Sequence, residues 1–302
     1  MNKEKDQNSY HKINLNWYPG HMLKTKKQII QDLKLIDVVI EILDARIPIA
    51  SQNPDIRQIT ANKKKIIVLN KSDLADEKET KRWIEYFKTQ GITAIPTDSN
   101  LGKGTKETLR AVQNLMQEDM EKAANKGRTN KNIRIMICGI PNVGKSSFIN
   151  RMINKKSAEV GNKPGVTKQK QWLRISSNIE LLDTPGVLWP KFENHDIALK
   201  LAYTGSIKDE LINKEEIAYN LIKYLKNNNK NELFARYKLT DDDFNSIIPE
   251  DDETLELMNI IARKRGAIIS GGEIDYEKVS AIILNDFRNG KIAKITLEKI
   301  NE

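Results

Sequence analysis

The chemistry of this chain concentrates in Gly139-Ile140-Pro141-Asn142-Val143-Gly144-Lys145-Ser146. An apolar run from Ile133 to Cys138 precedes it, and Ser147 to Ile153 reads as the first turns of a helix. Strand, glycine loop, lysine, hydroxyl, then helix is the spacing of a phosphate loop. The loop through Pro141, Asn142, Val143 and Gly144, with Ser147 in the first helical turn, offers backbone N–H groups to an anion. Lys145 is expected to reach the β- and γ-phosphates, and Ser146 to ligate Mg²⁺. A glycine-rich turn without a ligand would not require lysine and serine, in that order, after the second glycine.

Asn70-Lys71-Ser72-Asp73 follows another apolar run, Lys65 to Leu69, and suits the reading of a guanine base. The Asp73 carboxylate can accept two hydrogen bonds, from the ring N1–H and the exocyclic amine. Adenine lacks that pair of donors, so such a site discriminates strongly. Asn70 is expected to touch the other base edge and brace the loop, while the stem of Lys71 lies along the base plane. Thr97, Asp98 and Ser99 are expected to close the pocket through backbone N–H groups. Asp183-Thr184-Pro185-Gly186 puts a carboxylate at a strand end, where it can hold Mg²⁺ directly or through water. The N–H of Gly186 can come close to a γ-phosphate. Thr167, within Gly161 to Lys168, is a second candidate hydroxyl for Mg²⁺. Each four-residue segment also occurs as an ordinary turn; their joint presence is the specific signal.

The elements that must position these groups alternate. Strands are expected at 38–44, 65–69, 92–96, 133–138, 171–175 and 179–182, and helices at 24–34, 53–62, 76–90 and 106–122. Residues 123–131 read as a linker. This alternation implies an α/β domain with a mostly parallel sheet and helices on both faces. From about Asn194 helical patterns dominate, at 196–203, 214–226, 231–237, 253–265 and 276–288. The expected organisation is a flexible lead-in (1–13), a nucleotide domain (14–192) and a smaller all-α C-terminal domain (193–302).

Composition excludes several classes. With mean hydropathy of −0.57 and no apolar stretch near the length of a membrane span, a soluble protein with no membrane partner is expected. The polar N-terminus, Met1 to His11, gives no signal-peptide pattern, so a cytoplasmic location is expected. The single cysteine, Cys138, reads as a buried structural thiol. Net charge is +9 and unevenly spread: residues 200–302 hold 16 Lys and Arg against 19 Asp and Glu, and the rest hold 34 against 22. The excess favours a polyanionic partner, a lysine-rich proteome being the alternative source of the same charge. Lys24, Lys26 and Lys27, and Arg263-Lys264-Arg265 at a helix end, are candidate RNA contacts, the second cluster also complementing a helix dipole.

The order of the motifs is unusual. Common guanine-nucleotide proteins run phosphate loop, Thr loop, Asp-x-x-Gly, then Asn-Lys-x-Asp; here Asn-Lys-Ser-Asp comes first and Asp-Thr-Pro-Gly last. Together with Trp17-Tyr18-Pro19-Gly20-His21-Met22, Asp44-Ala45-Arg46, Pro164-Gly165-Val166-Thr167, Thr204 to Lys208 and Ser270-Gly271-Gly272, this order resembles the circularly permuted GTPases of ribosome assembly. The resemblance implies a P-loop GTPase domain, permuted, and a C-terminal helical domain that contacts RNA. It implies GTP and GDP as nucleotides, Mg²⁺ as cofactor, and the large ribosomal subunit precursor with its rRNA as partner. A monomer is expected. The alternatives are a nucleotide-gated RNA-binding module with little turnover, and a GTPase acting on another RNA client.

Within that resemblance, Val187 and Leu188 stand where many GTPases carry a water-orienting glutamine, so slow intrinsic hydrolysis is expected. Lys145, Thr167, Gly186 and His21 are the groups assigned to the catalytic step. The His21 imidazole could orient water or accept a proton, or it could be a turn residue or an RNA contact. The family likeness implies K⁺ beside the phosphates, held partly by Asn142, where an asparagine supporting its own turn is the alternative. Permutation also leads the loop after Asp183 within about ten residues into the helical domain, a route for a nucleotide switch.

Overall fold

The computed structural model describes residues 28–128, 131–153, 172–183, 194–245 and 252–300. Its strands are β1 (Val38–Asp44), β2 (Lys64–Asn70), β3 (Thr93–Pro96), β4 (Ile133–Gly139), β5 (Trp172–Ser176) and β6 (Ile179–Asp183). They form one sheet in the order β3-β2-β1-β4-β6-β5, parallel except for the antiparallel β5–β6 edge pair. Every residue of β1 is buried, as expected of a central strand covered on both faces. From β1 the chain steps outward through β2 and β3, then returns to β4 on the other side of β1. This reversal opens a crevice at the carboxyl ends of the strands, where ligands bind in sheets of this kind.

One face is covered by α1 (described over 28–33), α2 (Pro54–Ile59) and α3 (Glu77–Thr89). Ile29, Leu33 and Ile36 pack with Val39, Met136 and Leu182, while Trp83 and Phe87 of α3 pack with Leu43, Ile67 and Leu69. These strand residues are all of one alternation, so the other face is left for α4 (Thr105–Asn125) and α5 (Lys145–Met152), which lie against β2 and β4. They bury Val112 and Met116, and Phe148, Ile149 and Met152. Helix α4 runs to Asn125, beyond the helix expected at 106–122, because Ala123 and Ala124 favour helix over linker. Cys138 is buried, and burial pushes its thiol well above the usual range.

The helical unit comprises α6 (His195–Tyr203), α7 (Lys214–Asn228), α8 (Lys230–Tyr237), α9 (Asp241–Asn245), α10 (Glu253–Arg265) and α11 (Tyr276–Arg288). Helix α7 is its centre, burying Ile217, Ala218, Leu221, Ile222 and Leu225 among α6, α8, α10 and α11. Among the described residues this unit ends at Ala293, and 294–300 belong to the α/β unit. The expected helical domain, 193–302, is therefore too long at its C-terminal end: the last residues make their hydrogen bonds to loops of the sheet domain. No helix among the described residues is long and apolar enough to cross a membrane.

Candidate functional site

Four strand ends define the crevice. β1 ends at Asp44 and β2 at Asn70, and these two residues are register partners. β4 ends at Gly139, opposite Ile42 of β1, where a Cβ would meet the Ile42 carbonyl at 2.7 Å. The close approach of two strands therefore selects glycine at the start of the phosphate loop. β6 ends at Asp183, opposite Ile137 of β4.

The two nucleotide-type loops meet through Asn70. Its Nδ2 donates to the Val143 carbonyl at 2.6 Å, within the phosphate loop. Its Oδ1 accepts from Thr97 Oγ1 (3.1 Å), Ser99 N–H (3.1 Å) and Ser99 Oγ (2.7 Å). The brace expected of Asn70 is thus built, and it ties three chain segments together in a buried site. Arg151, at the end of α5, makes a second tie by donating to the carbonyls of Ser99 and Asn100.

The expected role of Thr97, Asp98 and Ser99 needs correction. Their backbone N–H groups are engaged with Leu69 O, Lys103 O and Asn70 Oδ1 respectively. The segment holds Asn70 in place and does not present those three donors to a ligand. The Asp98 carboxylate accepts the N–H groups of Asn100 and Leu101, which fixes the turn after it.

Lys71 has φ +58°, a left-handed backbone conformation, and its ammonium lies 3.1 Å from Asp44 Oδ2. Asp44 is fully buried and clasped by Arg46, which donates through N–H, Nε and Nη2 at 3.1, 2.9 and 2.7 Å. Burial opposes ionisation of Asp44, but Arg46 and Lys71 outweigh it and hold the carboxyl well below the usual range. Asp73 is half-buried, and burial and the neighbouring Asp98 raise its pKa above 3.8. In the sequence, Asp44 and Arg46 stand out only as part of a family likeness; a charged pair around a strand end, two residues apart, is the signal that marks them as a clasp.

Gly144 precedes α5 with φ +91°, and a Cβ there would overlap Asn70 Nδ2. The N-cap of α5 is Gly144, which has no side chain to close the helix start. Lys145 is half-buried, while Ser146 and Ser147 lie in that first turn, Ser147 exposed. This arrangement fits the phosphates of a nucleotide: an uncapped helix start, a lysine and a hydroxyl beside a loop that excludes a Cβ. For Mg²⁺ the Ser146 hydroxyl is a hard oxygen donor in this first turn, and β6 brings the backbone of Asp183 to the same end of the sheet. Asn142 is exposed with φ +60°, a conformation asparagine tolerates, so the turn by itself accounts for the residue type.

His21, Thr167 and Gly186 lie outside the described residues, as do Lys24, Lys26 and Lys27. Of the basic cluster on α10, Lys264 pairs with Asp243 and donates to Lys238 O. Arg265 donates to Arg236 O and lies over the Tyr237 ring. Both are engaged within the helical unit, as a helix C-terminus favours.

Comparison with known proteins agrees with this geometry. A family model described as "50S ribosome-binding GTPase" matches residues 134–260. A protein of Bacillus cereus named ribosome biogenesis GTPase A is 44% identical over 288 residues, covering 95% of each chain. The protein of that name from Thermotoga maritima is 33% identical over 94% of each. Among solved structures, GNP-bound YlqF from T. maritima matches 91% of this chain and 98% of its own, with a TM-score of 0.63 and 29% identity. A GDP-bound structure of the same protein matches equally well. The permuted motif order, the shared sheet and near full-length identity to named relatives lead to one conclusion: the chain belongs to the ribosome biogenesis GTPase A family.

Proposed function

We propose that this protein hydrolyses GTP to GDP and phosphate as an assembly factor for the large ribosomal subunit, and that precursor rRNA stimulates its turnover. The observation that carries the reading is the Asn70–Val143 hydrogen bond, which puts a guanine-type loop and a phosphate loop side by side at one end of the sheet. Asp73 accepts the two guanine N–H donors, Lys71 lies along the base and Lys145 faces the β- and γ-phosphates. The backbone from Pro141 to Ser147 surrounds the phosphate chain. Ser146, Thr167 and Asp183 hold Mg²⁺, which neutralises charge on the phosphates. Gly186 N–H faces the γ-phosphate. His21 orients the attacking water in place of the glutamine that Val187 and Leu188 do not supply. Asn142 would help hold K⁺ beside the phosphates, where the ion would supply the positive charge that an arginine finger gives elsewhere. The client is the precursor of the large subunit, bound in the cytoplasm by a monomer whose helical domain contacts rRNA.

The aliphatic pair Val187-Leu188 also favours a second reading, a nucleotide-gated RNA-binding module with little turnover. Turnover measured alone, with isolated large subunits and with small subunits, in potassium and in sodium, separates the two. The leading reading expects stimulation by large subunits alone and faster hydrolysis in potassium. Nucleotide-dependent binding to subunits without stimulated hydrolysis selects the second reading. Equal rates in the two salts remove the ion from the mechanism, and stimulation by small subunits assigns another client.

A further inference from the structure

The last described residues do something that neither the sheet core nor the nucleotide loops explain. Having left the helical unit at Ala293, the chain forms a strap with no helix or strand of its own across 294–300. Ile295 N–H donates to Leu74 O at 3.2 Å, and Leu297 N–H to Arg46 O at 2.8 Å. Thr296 Oγ1 accepts the Asp76 N–H at 3.1 Å. The Glu298 carboxylate accepts the N–H groups of Ile49 (2.6 Å) and Ala50 (3.1 and 3.2 Å), and the Glu298 carbonyl accepts Trp83 Nε1 at 2.9 Å. Ile295, Thr296 and Leu297 are buried.

Four of these five attachments fall on two loops. Residues 45–51 contain Arg46, which clasps Asp44, and Ser51, whose Oγ accepts the Asp44 N–H. Asp44 in turn pairs with Lys71. Residues 71–76 contain Lys71 and Asp73, and Leu74 N–H closes back on Lys71 O. The strap therefore stitches the loop that carries Lys71 and Asp73 to the loop that clasps Asp44, the ion-pair partner of Lys71. The strap buries Ile295 and Leu297 and packs Ile300 against the Trp83–Phe87 cluster, and it also makes polar attachments that apolar packing does not require. Here a carboxylate, a hydroxyl and two backbone N–H groups satisfy loop groups that no strand pairs. Lys294 also lies within the electrostatic reach of Asp73, where its charge favours the ionised carboxylate.

We propose that the C-terminal strap, residues 294–300, is a positioning element of the guanine site, with Thr296 fixing the loop that carries Lys71 and Asp73 and Glu298 fixing the loop that clasps Asp44, the partner of Lys71. The proposal rests on the guanine reading of Asp73 given above. Nucleotide affinity and base selectivity depend on the strap, and the chemical step does not.

The test uses the full chain with Glu298→Ala, Glu298→Gln and Thr296→Val, and measures binding of GDP and inosine diphosphate together with KM and kcat for GTP. Inosine lacks the exocyclic amine, so it reports one of the two bonds to Asp73. Glu298→Ala is expected to weaken GDP about 3- to 10-fold, the scale of one charge-assisted hydrogen bond partly expressed at the site. KM rises, kcat stays within about 2-fold, and the preference for GDP over inosine diphosphate narrows. Glu298→Gln keeps an acceptor oxygen and restores most of the loss. Thr296→Val follows Glu298→Ala in direction and carries the test if Glu298→Ala does not fold. Unchanged GDP affinity and base preference in folded Glu298→Ala or Thr296→Val, or a fall in kcat equal to that in kcat/KM, would overturn the proposal. Asp73→Asn run alongside separates the two levels. Loss of guanine preference there with silent strap variants overturns the strap alone, while retained guanine preference there overturns the pocket reading beneath it.

Discussion

The amide of Asn70 donates to the carbonyl of Val143 at 2.6 Å, although 73 residues separate them in the chain. Its oxygen meanwhile gathers Thr97 and Ser99, so one buried side chain holds the base loop, the phosphate loop and the turn after β3 together. Removing it in Asn70→Ala leaves those partners unpaired in a buried site. Each unsatisfied group costs about 1–3 kcal/mol. A fall in GDP affinity of at least about 100-fold is expected, together with a lower melting temperature. Fluorescent GDP titration beside a thermal melt checks both. Affinity unchanged in a folded variant would show that the two loops do not depend on this bond.

What the sequence made legible was the local part of this arrangement. β1, β2 and β4 are long β-branched runs, and each ends in the polar or glycine residue that turns the chain at the crevice. Asn70 and the phosphate loop are recognisable because their spacing is set within eight residues. The partners of Asn70 are not. Sequence reasoning turns the N–H groups of Thr97, Asp98 and Ser99 toward a ligand, whereas they are consumed inside the protein, which no short pattern reveals. The strap escaped for a different reason. Glu298 meets Ile49 across 249 residues, and Lys-Ile-Thr-Leu-Glu-Lys-Ile contains nothing that distinguishes it from the end of a helical domain. Contacts at that separation are set by tertiary packing, which propensity and periodicity do not encode.

Base recognition should carry a pH signature from Asp73. Burial, then Asp98, raises its pKa above 3.8, while Arg46 and Lys294 oppose the shift. Only the ionised carboxylate can accept both guanine donors. As pH falls through the raised value, Asp73 protonates and GDP binding weakens, starting at a higher pH than an ordinary aspartate would give. Folding has the opposite sign, since a raised acid pKa means stability lost as pH rises from 3.8 to the folded value. Asp98→Asn removes the repelling charge and keeps the oxygen that caps Asn100. The onset of weakened binding should then move to lower pH in a calorimetric pH series.

Asp44 makes the contrasting case. Its lowered pKa contributes stability that is present above 3.8 and lost as pH falls through the folded value. Asp44→Ala removes the carboxylate that Arg46, 1% exposed, holds through Nε and Nη2, and removes the partner of Lys71. Breaking one side of a buried pair costs about 3–5 kcal/mol. Urea unfolding should show that loss with an unchanged m-value, and Asp44→Asn, which keeps an acceptor for Arg46, should lose less. A cost below about 1 kcal/mol would place this clasp in the class of exposed ion pairs.

Gly144 tests the phosphate loop without touching a charged group. Its φ of +91° strains any side chain, and an added Cβ would overlap Asn70 Nδ2. Asn70 cannot swing aside, because its amide is held by Val143 and its oxygen by Ser99. Gly144→Ala must therefore shift the loop or the base-side brace. Helix α5 remains anchored by Phe148, Ile149 and Met152, so the domain should fold. Nucleotide binding should fall by at least about 100-fold, because the N–H groups around the phosphates move together. Gly127→Ala is the matched control: φ is +76° there too, but nothing lies within 4 Å of the added carbon. It carries the same kind of backbone strain far from any ligand group, so it should lower stability by about 1 kcal/mol and leave GDP affinity unchanged. If both alanines weakened GDP equally, strain rather than the collision with Asn70 would be the cause, and the glycine would owe its place to backbone conformation alone.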